Sequence, residues 1–278
     1  MSLLSTWGII SPSKGQTMSV LDHLEELRWR LVRSAIVILI FSVIAFVFMP
    51  YLFQHVILAH ASPNFWTYRI LCLVDPGLCV EKLNFTLQSR DMSGQFTTHI
   101  KSALITGFMV GFPYLVWEIW RFVKPALEGK EINHSLSVVS IVPFLFIIGV
   151  LFGYFVLAPL SVNFLANYSL DTSIENLFDI SSYVSTVITL VLLCGLVFQL
   201  PILIYFLAIA GIVTPQWMRK YRKHAIVVII ILAGIITPSP DILSQIVVGI
   251  PIYLLYELSI HTAARVQKTK QVGTTQVI

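Results

Sequence analysis

The sequence predicts an all-α membrane protein with six transmembrane helices, and two observations carry that prediction. Of the 278 residues, 56% are apolar and only 12% are charged, with a mean hydropathy of +0.84. Soluble domains carry about 25% charged residues. Apolar runs also recur along the chain, and about 20 apolar residues cross a bilayer as a helix. We number the six runs as predicted helices one to six: 34–53, 103–120, 136–160, 184–213, 225–236 and 242–260.

The distribution of lysine and arginine predicts the orientation of these helices. An even number of crossings puts both termini on one side, and cytoplasmic loops carry an excess of basic residues. With both termini inside, only four of the 18 basic residues fall outside, namely Arg69, Lys82, Arg90 and Lys101. The sequence therefore predicts a multi-pass protein of the cytoplasmic (inner) membrane with both termini cytoplasmic. The net charge of +4 reflects this topology, and no nucleic-acid partner is predicted.

The N-terminal segment is predicted to be a polar, flexible stretch over 1–18, followed by a helix. Ser19, with Asp22 three residues later, resembles a capping box. The apolar run over 34–53 is too long and too far from the N-terminus for a removable signal peptide. An apolar stripe at helical spacing predicts that this segment lies along the inner interface before the chain turns into the membrane as helix one. The stripe consists of Val20, Leu24, Leu27 and Leu31.

The rest of the chain is predicted to form a single six-helix domain over 19–262, with a polar C-terminal tail over 263–278. The loop over about 54–100 is the longest, and its prolines and aromatic residues predict a folded outer cap. Cys72 and Cys79 in this cap are compatible with a disulfide if that side is oxidising, and equally with two free thiols. Cys194 lies in an apolar run and is interpreted as a small buried residue.

Helices four, five and six are unusual. Pro201 lies within helix four and predicts a kink near residues 198–201, because proline removes a backbone hydrogen bond and clashes with the preceding turn. The apolar run over 225–236 has 12 residues, about 18 Å, against a hydrocarbon core of about 30 Å. Helices five and six are therefore predicted to be a short hairpin closed by 237–241, which thins the bilayer or leans on longer neighbours.

Catalytic and metal-binding patterns are missing from the sequence. The seven histidines are scattered without a His-Glu-x-x-His motif, and no Ser-His-Asp arrangement or metal-ligand spacing is present. We therefore predict neither an enzyme nor a cofactor or metal.

Glu26 is a surplus negative charge among the basic residues at the inner membrane edge. One interpretation is a solvated ion pair with Arg30 four residues later, which contributes a few tenths of a kcal/mol. The other interpretation adds Glu128 and Glu131 of the next inner loop. Carboxylates on two inner segments would bind a basic ligand, because arginine forms bidentate contacts with them.

Polar side chains within the apolar runs have two interpretations as well. Gln199, Thr237 and Gln245 need hydrogen-bond partners in lipid. A structural interhelical bond contributes about 0.6 kcal/mol, and a functional contact is the alternative. Glu118 and Glu257 lie near the inner ends of helices two and six, where we interpret both as structural carboxylates that reach the headgroups.

Several stretches, in this order along 19–262, resemble the TatC family, the multi-pass receptor subunit of the twin-arginine protein translocase. No single stretch carries the resemblance. The matching segments are His-Leu-Glu-Glu-Leu-Arg-Trp-Arg-Leu at 23–31, Pro-Tyr-Leu-Val-Trp-Glu-Ile-Trp-Arg-Phe-Val-Lys-Pro-Ala-Leu at 113–127, Phe-Gly-Tyr-Phe at 152–155, Phe-Gln-Leu-Pro at 198–201, Arg-Lys-Tyr-Arg at 219–222, Thr-Pro-Ser-Pro-Asp at 237–241, Ile-Pro at 250–251 and Tyr-Glu at 256–257.

The resemblance implies export of folded proteins, driven by the proton-motive force, after recognition of a signal peptide that bears two consecutive arginines. The twin-arginine site of the family falls on Glu26 and Glu131. Arg28 matches the arginine of the motif, and Phe122 and Pro125 match the pattern that shapes the inner loop.

The resemblance also implies partners. Single-helix TatA and TatB subunits would dock against helices five and six, where Thr237 and Gln245 match a polar cluster, and further copies of the chain would join the complex. The short helices would suit a role in thinning the membrane. Gln199, which we assign to partner binding, stands where members often have glutamate, and the outer cap is longer than usual.

A secondary transporter for a small solute or ion is the alternative function, because a proline-broken helix and buried polar groups occur in that class too. That alternative predicts inverted-repeat halves and ionisable residues near the membrane midplane, and the sequence shows neither.

Overall fold

The computed structural model describes residues 20–74, 85–123, 132–171, 176–209, 211–237 and 242–275, and these residues are mostly helical. The helices are α1 Val20–Leu52, α2 Trp66–Val74, α3 Gly94–Val123, α4 Ile132–Phe152, α5 Ala158–Asn167, α6 Ile180–Val197, α7 Leu200–Ile209, α8 Pro215–Lys220, α9 Arg222–Ile236 and α10 Ile242–Thr275. The strands are β1 Thr86–Gln88 and β2 Leu177–Asp179.

Five stretches in the described ranges are long and apolar enough to cross a membrane. They are Leu24–Leu73, Gly94–Phe122, Ile141–Asn167, Ile180–Ala208 and Ser244–Arg265. The remaining predicted crossing, helix five, corresponds to α9, which has 15 residues and extends about 22 Å. The chain is therefore a membrane protein with several spanning helices, and the count of six stays a prediction.

Predicted helix one is part of a longer, continuous helix. The structure joins the predicted interfacial segment and the predicted membrane helix into α1, which has 33 residues. The expected turn between them is wrong for the described residues, because residues 20–33 contain neither glycine nor proline to interrupt the helix.

Antiparallel packing of α1 on α3 defines the two ends of the bundle. At one end, a ring nitrogen of His99 lies 2.9 Å from the carbonyl oxygen of Phe46. We call this the strand end, because β1 and β2 lie beside it. At the other end, which we call the terminal end, Arg30 contacts Glu118. Midway, a Cβ atom at Gly107 would lie 2.5 Å from the backbone nitrogen of Ser42, so only glycine permits this approach.

The segment between α1 and α3 packs back on the rest of the strand end. Tyr68 donates its hydroxyl to the carbonyl oxygens of His60 and Pro159, at 3.2 and 2.9 Å. A ring nitrogen of the fully buried His60 lies 2.9 Å from the carbonyl oxygen of Tyr154. These contacts join the loop after α1 to the π-helical segment Gly153–Leu157 between α4 and α5.

The described residues are mostly helical, as predicted, and they also include two short strands that the sequence did not predict. β1 and β2 pair in parallel, with Thr86 opposite Leu177 and Gln88 opposite Asp179. β1 precedes α3 and β2 precedes α6, and paired residues are 91 positions apart, so no local pattern in either three-residue segment predicts the pairing. Cys72 is disulfide-bonded and Cys194 is a free, buried thiol, while Cys79 lies outside the described residues.

Pro201 interrupts helix four, as its position predicts. α6 ends at Val197, Phe198 and Gln199 form a turn, and α7 begins at Leu200. Proline has no N–H to continue the ladder of hydrogen bonds, so the chain restarts with Ile202 and Leu203 donating to the carbonyl oxygen of Gln199.

Helix six differs from its prediction. α10 has 34 residues and extends about 51 Å, so the short-helix expectation is wrong for it and holds for α9 alone. The apolar stretch ends near Arg265, but the helix continues to Thr275 through the segment predicted to be a polar tail. Residues 261–272 contain no glycine or proline and favour helix whatever their polarity.

Candidate functional site

An acidic cluster lies at the terminal end of the bundle, between the first turns of α1 and the last turns of α3. We define it as Glu26, Arg30 and Glu118. The guanidinium of Arg30 lies between the two carboxylates: Nε donates to Oε1 of Glu26 at 3.1 Å, and Nη2 contacts the same oxygen. Nη1 donates to Oε2 of Glu118 at 3.2 Å. One arginine therefore joins two helices through charge-assisted hydrogen bonds.

Burial separates the two carboxylates. Glu118 is only 2% exposed, and Arg30 is 9% exposed. The other oxygen of Glu118 accepts a hydrogen bond from the Tyr114 hydroxyl at 2.9 Å and lies 4.0 Å from Nη1 of Arg121. Glu118 is thus fully engaged, which matches the rule that buried charges need partners.

Glu26 retains an unused acceptor. Its side chain is 27% exposed, and its Oε2 atom is shielded from solvent without a hydrogen-bond partner among the described residues. Glu26 shares the guanidinium of Arg30 with Glu118, and Arg121 lies near Glu118 only, so Glu26 has no cation to itself among the described residues. The site can therefore accept one more cationic donor.

The structure corrects two expectations about these residues. Glu26 and Arg30 form the i,i+4 pair of the first interpretation, but Arg30 is buried and also contacts Glu118 of α3, so the pair is not a solvated one. Glu118 does not reach the headgroups, because it is buried against α1. The position of Glu118 in an apolar run, one helical turn after Tyr114, indicates this contact, since a carboxylate there needs an internal partner.

The other residues predicted to bind a peptide are only partly described. Arg28 is exposed on α1 and forms no ion pair within the described ranges. Phe122 is half-buried in the last turn of α3. Pro125, Glu128 and Glu131 lie outside the described residues, so the pairing of Glu26 with Glu131 stays a prediction.

Gln199 lies in the turn between α6 and α7. Its Nε2 atom donates to the carbonyl oxygen of Gly195 at 3.4 Å, the long end of the hydrogen-bond range. Its Oε1 atom is buried without a partner among the described residues. A buried carbonyl oxygen without a hydrogen bond lowers the stability of the fold, unless a further donor reaches it.

Thr237 and Gln245 belong to the hairpin of α9 and α10 but make separate contacts. Thr237 is buried and donates its hydroxyl to the carbonyl oxygen of Ala233 at 2.9 Å. Gln245 donates from Nε2 to the carbonyl oxygen of Ile230 at 2.8 Å, which joins α10 to α9. Gln245 also lines an apolar groove of about 490 Å³ between these helices, with Ile226, Ile246 and Ile250.

Glu257 pairs with Arg222 at 2.8 Å and accepts the Tyr253 hydroxyl at 3.1 Å. This contact joins the start of α9 to α10 and is consistent with a structural role. Within the described ranges, no three His, Cys, Asp or Glu side chains converge as metal ligands would.

Comparison with known proteins gives a consistent result. Residues 22–251 match the family model described as Sec-independent protein translocase protein (TatC). The TatC of Blattabacterium sp. subsp. Periplaneta americana is 36% identical over 256 residues, covering 90% of this chain and 96% of that protein. The TatC of Aquifex aeolicus is 33% identical and covers 87% and 93% of the two chains.

A solved structure matches as well. The crystal structure described as the twin-arginine translocase receptor TatC superposes with a TM-score of 0.66 at 32% sequence identity. The match covers 88% of this chain and 99% of that one.

Proposed function

The chain belongs to the TatC family of Sec-independent protein translocase proteins, and we propose that it is the receptor that binds twin-arginine signal peptides at the acidic cluster. Members of this family are components of a protein translocase and are not catalytic enzymes. The observation that carries the proposal is the arrangement of Glu26 and Arg30: the site already binds a guanidinium and keeps one carboxylate oxygen unused.

Charge supports an arginine ligand. Arg30 donates to Glu118 and to one oxygen of Glu26, and the other oxygen of Glu26 has no hydrogen-bond partner among the described residues. A guanidinium has five donors in a planar fork and bridges adjacent carboxylates, whereas lysine acts as a compact point charge. We therefore propose that one arginine of the peptide pairs with Glu26 and the second with Glu131.

Geometry gives Glu118 a supporting role. Its contact with Nη1 of Arg30 pulls the guanidinium towards α3, so Arg30 uses only one oxygen of Glu26. Glu118 is therefore proposed as a positioning residue for the peptide site. Arg28, Phe122 and Pro125 are proposed to shape its rim.

The hairpin of α9 and α10 is proposed to dock the single-helix partners TatA and TatB. The groove between these helices is apolar apart from Gln245 and Tyr253, and a transmembrane partner helix presents a matching apolar surface. Thr237 is proposed to hold the turn of the hairpin, and the unused oxygen of Gln199 to accept a donor during assembly.

The complex is proposed to export folded cargo across the cytoplasmic membrane, driven by the proton-motive force, with further copies of this chain in it. We propose six crossings, with α9 as the short one and both termini in the cytoplasm. The alternative of a secondary transporter has less support, because Arg30 and Glu118, both buried, lie near the end of the bundle and not near its middle.

Photo-crosslinking of a twin-arginine peptide to the purified protein tests the peptide site. Glu26→Ala and Glu131→Ala should each lower capture about tenfold, the size of one lost charge-assisted contact. Glu25→Ala is the matched control, because Glu25 is the neighbouring exposed carboxylate. A lysine-lysine peptide should bind weakly to every variant. Unchanged capture by the double variant Glu26→Ala/Glu131→Ala would sink the assignment.

A further inference from the structure

A polar cavity of about 450 Å³ lies at the strand end, between the first turns of α3 and α6. Hydroxyl groups dominate its lining, which includes Thr98, Ser102, Ser182, Ser185 and Thr186, together with Lys101. Its volume lies within the range of about 300–1,000 Å³ that small-ligand sites occupy. Hydroxyl groups from two helices meet here, and such a lining suits a polar occupant, because lipid tails form no hydrogen bonds with it.

Ser102 indicates that the lining is incomplete without a ligand. It is 1% exposed, and its Oγ atom has no hydrogen-bond partner among the described residues. Helical serines commonly donate to the carbonyl oxygen four residues earlier, as Ser34 does to Arg30 at 3.0 Å. Ser102 instead lines the cavity with a free hydroxyl.

The charges around the cavity favour an anion. Lys101 is exposed at the cavity, where its Nζ atom contacts Oγ of Ser185, and it forms no ion pair within the described ranges. The first turn of α6 contributes Ser181 and Ser182. Backbone N–H groups of a first turn lack partners within the helix and carry partial positive charge.

Asp179, the residue before α6, is the nearby negative charge, and its carboxylate is already hydrogen-bonded. Its carboxylate accepts the hydroxyl of Ser181 and the backbone N–H of Arg90, the latter at 3.2 Å. The carboxylate also interacts with the backbone N–H of Ser181 in the first turn of α6, so an anion in the cavity relies on Lys101 and the hydroxyl lining and not on the end of that helix.

We propose that this cavity binds an anionic phosphate group, through Lys101 and the Ser102 hydroxyl. Its position at one end of the bundle suits the phosphate of an anionic phospholipid, and a free phosphate ion has the same chemistry. The site is distinct from the proposed peptide site, which lies at the opposite end of the bundle, and does not depend on it.

Native mass spectrometry of the full chain in detergent tests the proposal with phosphatidylglycerol, phosphatidylcholine and inorganic phosphate as separate probes. Phosphatidylglycerol should bind in preference to phosphatidylcholine. Lys101→Gln should lower that binding about tenfold, because it removes a charged hydrogen bond, and Ser102→Ala should lower it about fivefold, because it removes a neutral one. If inorganic phosphate displaces the lipid at equal concentration, the free ion is the ligand; if it does not, the lipid is.

Matched controls come from the same molecule. Ser161→Ala removes another buried hydroxyl without a partner among the described residues, and Lys220→Gln removes an exposed lysine at the other end. Both should leave binding unchanged, with unfolding temperatures close to those of the test variants. Equal binding of all probes by Lys101→Gln, Ser102→Ala and the parent chain would overturn the proposal.

Discussion

Arg30 of α1 donates to Glu118 of α3 at 3.2 Å across an interface that hides both side chains from solvent. The two residues are 88 positions apart in the chain. Their contact fixes how the ends of these helices meet, and it leaves Glu26 with one carboxylate oxygen unused.

We expect Glu118→Ala to destabilise the protein by about 3–5 kcal/mol, because it leaves the buried guanidinium of Arg30 with a single partner. Thermal unfolding in detergent, monitored by the binding of a fluorescent dye, measures this loss of stability. The control is Glu257→Ala, whose partner Arg222 is 45% exposed and which should cost under about 1 kcal/mol. Equal losses in the two variants would contradict the buried pair.

Glu118→Gln should weaken peptide capture while the protein stays folded. The amide keeps a partner for Tyr114 but loses its charge, so Arg30 shifts to Glu26 and occupies both of its oxygens. We expect capture of a twin-arginine peptide to fall about fivefold. The same photo-crosslinking experiment measures it, with Glu257→Gln as the control. Capture at the level of the parent chain would remove Glu118 from the site.

Gly107→Ala should separate α1 from α3, because its Cβ atom would meet the backbone of Ser42 at 2.5 Å. Overpacking of this kind costs about 1–3 kcal/mol. Gly249→Ala is the control, since nothing lies within 4 Å of a Cβ atom there, and alanine favours the helix by up to about 1 kcal/mol. Unfolding temperatures should therefore move in opposite directions in the two variants.

The contact between Asp179 and the loop after β1 should weaken in acid. The Ser181 hydroxyl and the backbone N–H of Arg90 hold the pKa of Asp179 below its usual 3.8. A depressed pKa contributes stability above pH 3.8 that is lost as the pH falls through the folded value. Hydrogen-exchange protection of the Arg90 amide should therefore stay constant down to about pH 4 and decline below it.

The control for this pH dependence is Asp91→Asn, because the Asp91 side chain is exposed and accepts no hydrogen bond from the residues that the structure describes. Asp179→Asn should remove the acid-dependent part of the protection at Arg90, while Asp91→Asn should retain it. Retention in both variants would show that another group causes the decline.

Gln199→Leu should leave peptide capture unchanged and reduce partner assembly. The substitution removes a buried oxygen that has no partner among the described residues, so stability should change by less than about 1 kcal/mol. Co-purification of a TatA-type subunit with the variant measures assembly. If the Gln199→Leu variant assembles fully with its partner, Gln199 has no role in partner binding and only makes its weak contact with Gly195.

Much of the architecture could be predicted from the sequence. Apolar runs predict membrane-spanning helices, because a segment of about 20 mainly apolar residues is long enough to cross the bilayer. Pro201 announces the break in helix four because its effect acts within one turn. The residues at which α1 and α10 begin and end are harder to predict from the sequence. A helix continues wherever the local helix propensity permits, both in lipid and in water.

The candidate site divides in the same way. Glu26 stood out by itself, because a carboxylate among basic residues at the membrane edge conflicts with the local charge pattern, and its pair with Arg30 follows from helical spacing. The sequence alone determined the membrane class, the break at Pro201 and the interest of Glu26. Only the tertiary structure decided that Glu118 lies against Arg30, that β1 pairs with β2 and that Ser102 faces a polar cavity. Each of these contacts depends on which faces of distant segments meet, and no local pattern of residues carries that information.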